Sequence, residues 1–241
     1  MPTRNRADLA ARAVQYFLQQ SYKDSELIVV DDGTEPLSLP PCDSRIKYIR
    51  LHEQLTIGAK LNLGISESAG GVIQRIDDDD YYHRHFLETA LRHLMCRGLE
   101  RSIVAWGYFL VYMSGEAWAR SWNLGWPAGA TLCFSRHVWD KGHFRNTSSG
   151  EDEQFRKDHT EELVTVRAPE LYMLVRHGRN TWISMRDNSV ADVFLGTLPL
   201  YPKSLEIVIG PESSNFYRQL PARSVPPRTP IRATTNGVDL H

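Results

Sequence analysis

The sequence predicts an α/β fold, a doubly wound and mostly parallel sheet flanked by helices, and three observations carry that prediction. Short apolar segments such as Glu26-Leu27-Ile28-Val29-Val30 alternate with stretches whose apolar residues recur at helical spacing. Two of the apolar segments run into acidic residues, Asp31-Asp32-Gly33 and Asp77-Asp78-Asp79-Asp80, and a parallel sheet would carry both clusters to one rim. The chain has 241 residues, 41% of them hydrophobic and 24% charged, which supplies the core of one large domain, or of a domain with a small appendage.

Taken in order, Pro2-Thr3-Arg4-Asn5-Arg6 reads as a loop, and Leu9, Ala13, Phe17 and Leu18 define an amphipathic helix to about Gln20. Glu26 to Val30 is a strand stopped by Asp31-Asp32-Gly33-Thr34, and Glu35 to Ser44, with three prolines, is a loop. Ile46 to Leu51 is the next strand. Ile57, Leu61, Leu63 and Ile65 predict a helix ending near Gly70-Gly71, before the strand Val72 to Ile76 and the aspartate run. Phe86, Leu87, Ala90, Leu91 and Leu94 mark a further helix, and Ser102 to Met113 a long strand. Ser114 to Gly129 breaks the rhythm. Its Trp118, Trp122 and Trp126 are either packing anchors or an aromatic platform on which a sugar stacks. Leu163 to Val166 and Leu171 to Val175 are the last strands. From Pro202 onward, prolines, serines and arginines predict an extended tail or a flexible partner-binding arm.

Bulk composition removes several function classes. A formal net charge of −1 argues against a nucleic-acid partner. No apolar run reaches the length of a membrane span, and no signal-peptide pattern opens the chain. Cys42, Cys96 and Cys133 are scattered without C-x-x-C spacing, which fits a reducing compartment. The expected location is the cytoplasm, including a peripheral position at the inner face of a membrane.

The aspartate run holds the strongest chemical signal. Two carboxylates about 5 Å apart repel by roughly 3 kcal/mol at an effective dielectric near 20. Four in succession at a strand end therefore ask for a cation, and oxygen-only donors favour Mg²⁺ or Mn²⁺ shared with substrate phosphates. A solvated acidic turn is the plainer alternative. Ser148-Ser149-Gly150-Glu151-Asp152-Glu153 is a second acidic candidate that also reads as a capped helix start. Val175-Arg176-His177-Gly178-Arg179-Asn180-Thr181-Trp182 carries a histidine beside a glycine.

Together and in this order, these segments resemble the family 2 glycosyltransferases of the GT-A fold. The resemblance rests on Pro2-Thr3-Arg4-Asn5-Arg6, Val29-Val30-Asp31-Asp32-Gly33-Thr34, Gly58-Ala59-Lys60-Leu61-Asn62-Leu63-Gly64, Arg75 to Tyr82, and Gly150-Glu151-Asp152-Glu153-Gln154-Phe155. It covers residues 1–182, divided into a nucleotide-binding half over about 1–100 and an acceptor half over about 101–182. Residues 183–241 are expected to form a partly irregular C-terminal extension. The resemblance implies an inverting, hexosyltransferase-like enzyme that moves a sugar from a nucleoside-diphosphate donor, UDP-linked by expectation, to a carbohydrate, lipid or protein acceptor. It places Pro2, Thr3, Arg4, Arg6, Val30, Asp32, Lys60, Asp77 and Asp78 around the nucleotide. Asp79 and His177 are implied as ligands of Mn²⁺ or Mg²⁺, Asp152 as the general base, and Glu151 as its acidic neighbour.

Members of the family carry a full hydrophobic strand ahead of the P-T-x-N-R loop, whereas only Met1 precedes Pro2 here. The expectation is a sheet short of its first strand, with a loosened nucleotide loop and an unpaired edge. Two rival readings stay open. A nucleotide-sugar-binding relic would bind without turnover. A sugar-phosphate nucleotidyltransferase would need a glycine-rich basic loop, a place that Pro2-Thr3-Arg4-Asn5-Arg6 takes instead.

Overall fold

A computed structural model describes residues 1–39, 43–180 and 188–221; Cys42, Thr181-Trp182 and Pro226-Pro227-Arg228-Thr229-Pro230 lie outside them. In chain order the elements are β1 (Pro2–Thr3), α1 (Ala7–Leu18), β2 (Leu27–Asp31), β3 (Ile46–Arg50), α2 (Ile57–Ser66), β4 (Val72–Gln74), β5 (Tyr81–Tyr82) and α3 (Phe86–Arg97). They continue with β6 (Ser102–Met113), β7 (Arg120–Trp122), β8 (Cys133–Ser135), α4 (Arg136–Lys141), α5 (Glu151–Asp158), β9 (Glu162–Arg167), β10 (Tyr172–Arg176), α6 (Asn188–Thr197) and α7 (Leu205–Arg218).

The α/β class holds, and the strands divide between two sheets. The first runs β1-β2-β3, all parallel. Its central strand, Leu27-Ile28-Val29-Val30-Asp31, is buried throughout, as expected of a parallel strand covered on both faces. The helix α1 turns Leu9, Ala13, Val14 and Phe17 into the core, and Thr56 caps α2 by accepting the Ala59 N–H at 3.2 Å. The second sheet is mixed. Its order is β4-β8-β6-β10-β5, with β9 and β10 parallel to β6, and β7 and β8 antiparallel to it. The near-continuous apolar run of β6 fits its place at the centre, where it pairs with four other strands.

Two local expectations change. Pro2 and Thr3 are strand rather than loop, paired with Val30 and Asp31. Proline suits this edge because it has no N–H to donate to the ladder. The region after Pro202 is not an extended tail up to Arg218. Ser204 caps α7 through the Ile207 N–H, and Gly210, at φ 80°, breaks the helix so that Pro211 opens its second part. Proline and serine, read as breakers, act here as helix starts. Leu195 of α6, Leu198 just after it, and Leu205, Ile209 and Tyr217 of α7 join the same core as β6 and β10.

Pro2 and Thr3 pair with β2 on one side, and the Met1 ammonium donates to Ile28 O at 2.8 Å. A second cavity, of about 370 Å³, is lined by Met1, Phe17, Leu61, Leu87 and Phe134, with Leu27 and Ile28 from one sheet and Ile73 from the other. No helix among the described residues is long and apolar enough to cross a membrane.

Candidate active site

A cleft of about 590 Å³ opens where the ends of β1, β4 and β10 meet the turn around Gly129 and the start of α5. We call Pro2, Thr3, Arg4, Arg6 and the aspartate run the first wall of its lining, and Trp122, Trp126, Gly129, Glu151 and Asp152 the second. The structure therefore brings together the first loop, the aspartate run and the Gly150-Glu151-Asp152 segment, which lie far apart in sequence.

On the first wall the Asp31-Asp32-Gly33 turn acts as a brace. Both Asp32 carboxylate oxygens are engaged, Oδ1 by Lys60 Nζ at 2.8 Å and Oδ2 by the Leu55 N–H at 2.9 Å. Lys60 also donates to Thr3 O, and Arg4 donates to Asp32 O at 2.8 Å, so α2 and β2 jointly hold the first loop. Val30 is buried beneath Pro2. Neither Val30 nor Asp32 lines the cleft, and Lys60 reaches it while buried against Asp32.

The four aspartates have four different surroundings. Asp77 faces Arg75, with Nε–Oδ1 at 3.0 Å. Asp78 is buried near Arg6, and burial pushes its carboxyl up to about 7 against the pull of that guanidinium. Asp79 accepts from Arg6 at 2.7 Å and from Asn180 at 3.1 Å. Burial opposes its charge, but the contacts with His177 and Arg6 outweigh that and hold its carboxyl below the usual range. Asp80 turns into the core, accepting from Tyr172 Oη at 2.6 Å and from the Val175 N–H at 2.9 Å. Burial, reinforced by Asp79 and Asp77, raises its carboxyl well above the usual range.

His177 is fully buried behind Asp79, its Nε2 3.3 Å from Asp79 Oδ2 and without a well-formed hydrogen bond. Its Nδ1 accepts the Arg179 N–H at 3.0 Å, so the neutral ring carries its proton on Nε2 and turns that proton toward Asp79. Ligating a metal through Nε2 requires that proton to leave. Asp79 fits a hard cation by itself, as an ionised carboxylate at the cleft wall. Among the described residues no three His, Cys, Asp or Glu side chains converge on one point, so substrate phosphates would complete the shell of a bound ion.

On the second wall the left-handed Gly150 (φ 71°) opens α5, whose first turn holds Glu151, Asp152 and Glu153 near the positive end of the helix dipole. Glu151 is buried and meets Arg75 at 3.0 Å. Burial raises its carboxyl above the usual range, with Arg75 opposing the shift. Asp152 lies directly against Gly129, where an added Cβ would stand 1.8 Å from its Oδ2. Gly129→Ala should therefore displace the Asp152 carboxylate and, because the Asp152 Cβ would also lie at 2.8 Å, push back the first turn of α5 that carries it. The expected result, if Asp152 acts at the reacting centre, is a loss of about 100-fold in turnover at unchanged nucleotide affinity, read by steady-state rates beside a binding titration. Unchanged transfer would remove Asp152 from the reacting centre.

Trp122 stacks on Phe109 at 5.2 Å while Trp126 is 65% exposed at the mouth of the cleft, so a packing anchor and a free aromatic face stand side by side. Trp118 does not line the cleft. Sequence reasoning missed three contributors: Arg75, Gly129 and Asn180. Arg75 and Asn180 had a visible signal, since each lies inside a motif that was read for its acids or its histidine. Gly129 had none, because its role is the absence of a side chain opposite an element 22 residues away.

Comparison with known proteins places this geometry. The sequence model described as glycosyl transferase family 2 matches residues 1–144. The chain is 32% identical over 124 residues to the GalNAc(5)-diNAcBac-PP-undecaprenol beta-1,3-glucosyltransferase of Campylobacter jejuni, covering 48% of this chain and 38% of that enzyme. It spans 16% of the length of two uncharacterized glycosyltransferases of Rickettsia that it also matches. Among solved structures, the mannosyltransferase PcManGT from Pyrobaculum calidifontis, in complex with GDP-Man and Mn²⁺, superposes with a TM-score of 0.55 at 14% identity, over 80% of this chain and 58% of that one. S. aureus TarS 1-349 in complex with UDP-GlcNAc gives 0.54 at 15% identity, over 80% and 63%.

Proposed function

The chain belongs to glycosyl transferase family 2, and from that premise we propose that it transfers a sugar from a nucleoside-diphosphate donor to an acceptor hydroxyl in one inverting displacement. The observation that carries the proposal is the meeting of two acidic segments in the lining of one cleft, Asp77 to Asp79 and Asp152. A donor bound along the first wall presents its anomeric carbon toward the second. Pro2, Thr3, Arg4 and Arg6 bound the nucleotide, and Asp32 with Lys60 hold that loop in place. Asp77 and Asp78 take the ribose side. Asp79 would hold a divalent ion, Mn²⁺ or Mg²⁺, which when bound would neutralise charge on the departing diphosphate. Asp152 accepts the proton of the acceptor hydroxyl as its oxygen attacks from the face opposite the leaving group, which inverts the anomeric centre. His177 backs Asp79 and becomes a ligand only if its Nε2 proton is displaced.

The proposed donor is a UDP-sugar. Fold neighbours were solved with UDP-GlcNAc and with GDP-Man, so both nucleotides belong in the test. Incubating the protein with UDP- and GDP-sugars, Mn²⁺ and a mixed acceptor pool should release nucleoside diphosphate, and chelation by EDTA should abolish the release. Affinity for a nucleotide sugar without release would identify a binding relic instead. We assign the protein to the cytoplasm, a peripheral position at the inner face of a membrane included.

A further inference from the structure

Arg75 is 93% buried, yet it reaches the lining of the cleft and meets a carboxylate of each acidic segment. Its Nε and Nη2 hold Asp77 side-on at 3.0 and 3.3 Å, and Nη2 also reaches Glu151 Oε1 at 3.0 Å. Its Nη1 has no hydrogen-bond partner. The backbone is pinned as well, since the Arg75 N–H donates to Leu132 O at 2.8 Å. One planar guanidinium thus joins a carboxylate that follows β4 to a carboxylate in the first turn of α5, two elements that no shared strand pairing holds together.

A buried ion pair contributes little net stability, because desolvation offsets most of the attraction. What a guanidinium supplies that an apolar side chain or a lysine cannot is a rigid fork of fixed geometry. The fork here fixes the distance from Asp77, on the donor wall, to the helix turn that presents Asp152. A second contact supports the same span: the Asp77 N–H donates to Tyr82 Oη at 2.8 Å, and Tyr82 Oη donates to Ala130 O at 3.3 Å, next to the Gly129 on which Asp152 rests.

We propose that Arg75 is a positioning residue for glycosyl transfer, acting through Asp77 and Glu151 to set the spacing between the donor wall and the base. This rests on the assignment of Asp152 given above. The test is a double-mutant cycle of Arg75→Lys and Glu151→Gln, read as kcat, donor KM and the thermal midpoint. Lysine keeps the charge but cannot hold two carboxylates in one plane. Each single change should lower kcat about tenfold or more with donor KM within about threefold, since small misplacements of reacting groups are that costly. The double variant should be no slower than the slower single one, because both cut the same link. Should Arg75→Lys fail to fold, Arg75→Gln takes its place in the cycle.

Full additivity, an unchanged kcat in the Arg75 variant, or a loss confined to donor KM would each overturn the proposal. A wild-type protein that turns over while the Arg75 variant matches it removes this inference alone. A wild-type protein that turns over no donor removes the glycosyltransferase reading, and this inference with it.

Discussion

Replacing Asp152 with asparagine should abolish transfer while leaving the donor bound. The substitution keeps the size of the side chain and its seat against Gly129, and removes only the capacity to take a proton. General-base catalysis contributes about 10²–10⁴-fold, so a loss of that order in kcat is expected. Donor affinity should hold because Thr3, Asp32 and Lys60 are held by one another, and the substitution leaves those contacts in place. An interaction made only in the transition state lowers kcat and kcat/KM together and leaves binding alone. Steady-state kinetics with a titration of the nucleoside diphosphate separate the two. A variant that keeps its maximal rate and loses donor affinity would make Asp152 a binding residue and place the base elsewhere.

Asp79→Asn should remove metal-dependent nucleotide binding. Asp79 is an ionised carboxylate in the lining of the cleft, and its charge is held against burial by His177 and Arg6. Changes even to residues that merely support a metal ligand cost about 10–100-fold in affinity, so loss of the ligand itself should exceed 100-fold. Asp80→Asn provides the contrast. Asp80 faces Tyr172 and Val175, and burial favours its neutral form, which asparagine resembles in shape and charge. Its effect on nucleotide binding should be small. Titrating Mn²⁺ with a nucleoside diphosphate against both variants decides the matter, and equal affinity of wild type and Asp79→Asn would refute the assignment.

What could be read from the chain alone was periodic or punctuated. The run Ser102 to Met113 read as a strand because β-branched and aromatic residues make up most of it. The alternation of strands and helices determined the α/β class, and five short motifs in order determined the family. Three-dimensional packing decided everything that depends on which groups share a partner. Four identical aspartates in succession are equivalent in sequence, yet the fold gives one to Arg75, one to a buried place beside Arg6, one to Arg6, Asn180 and His177, and one to the core. The difference arises because successive residues at a strand end point in different directions, and burial then sets each charge by its neighbours. Gly129 and Arg75 gain their roles from elements that lie far away along the chain. Proline and serine at the start of α7 looked like the end of structure because a helix start and a loop share the same residues. Only the apolar face of that helix, closing on β6 and β10, settles which of the two forms.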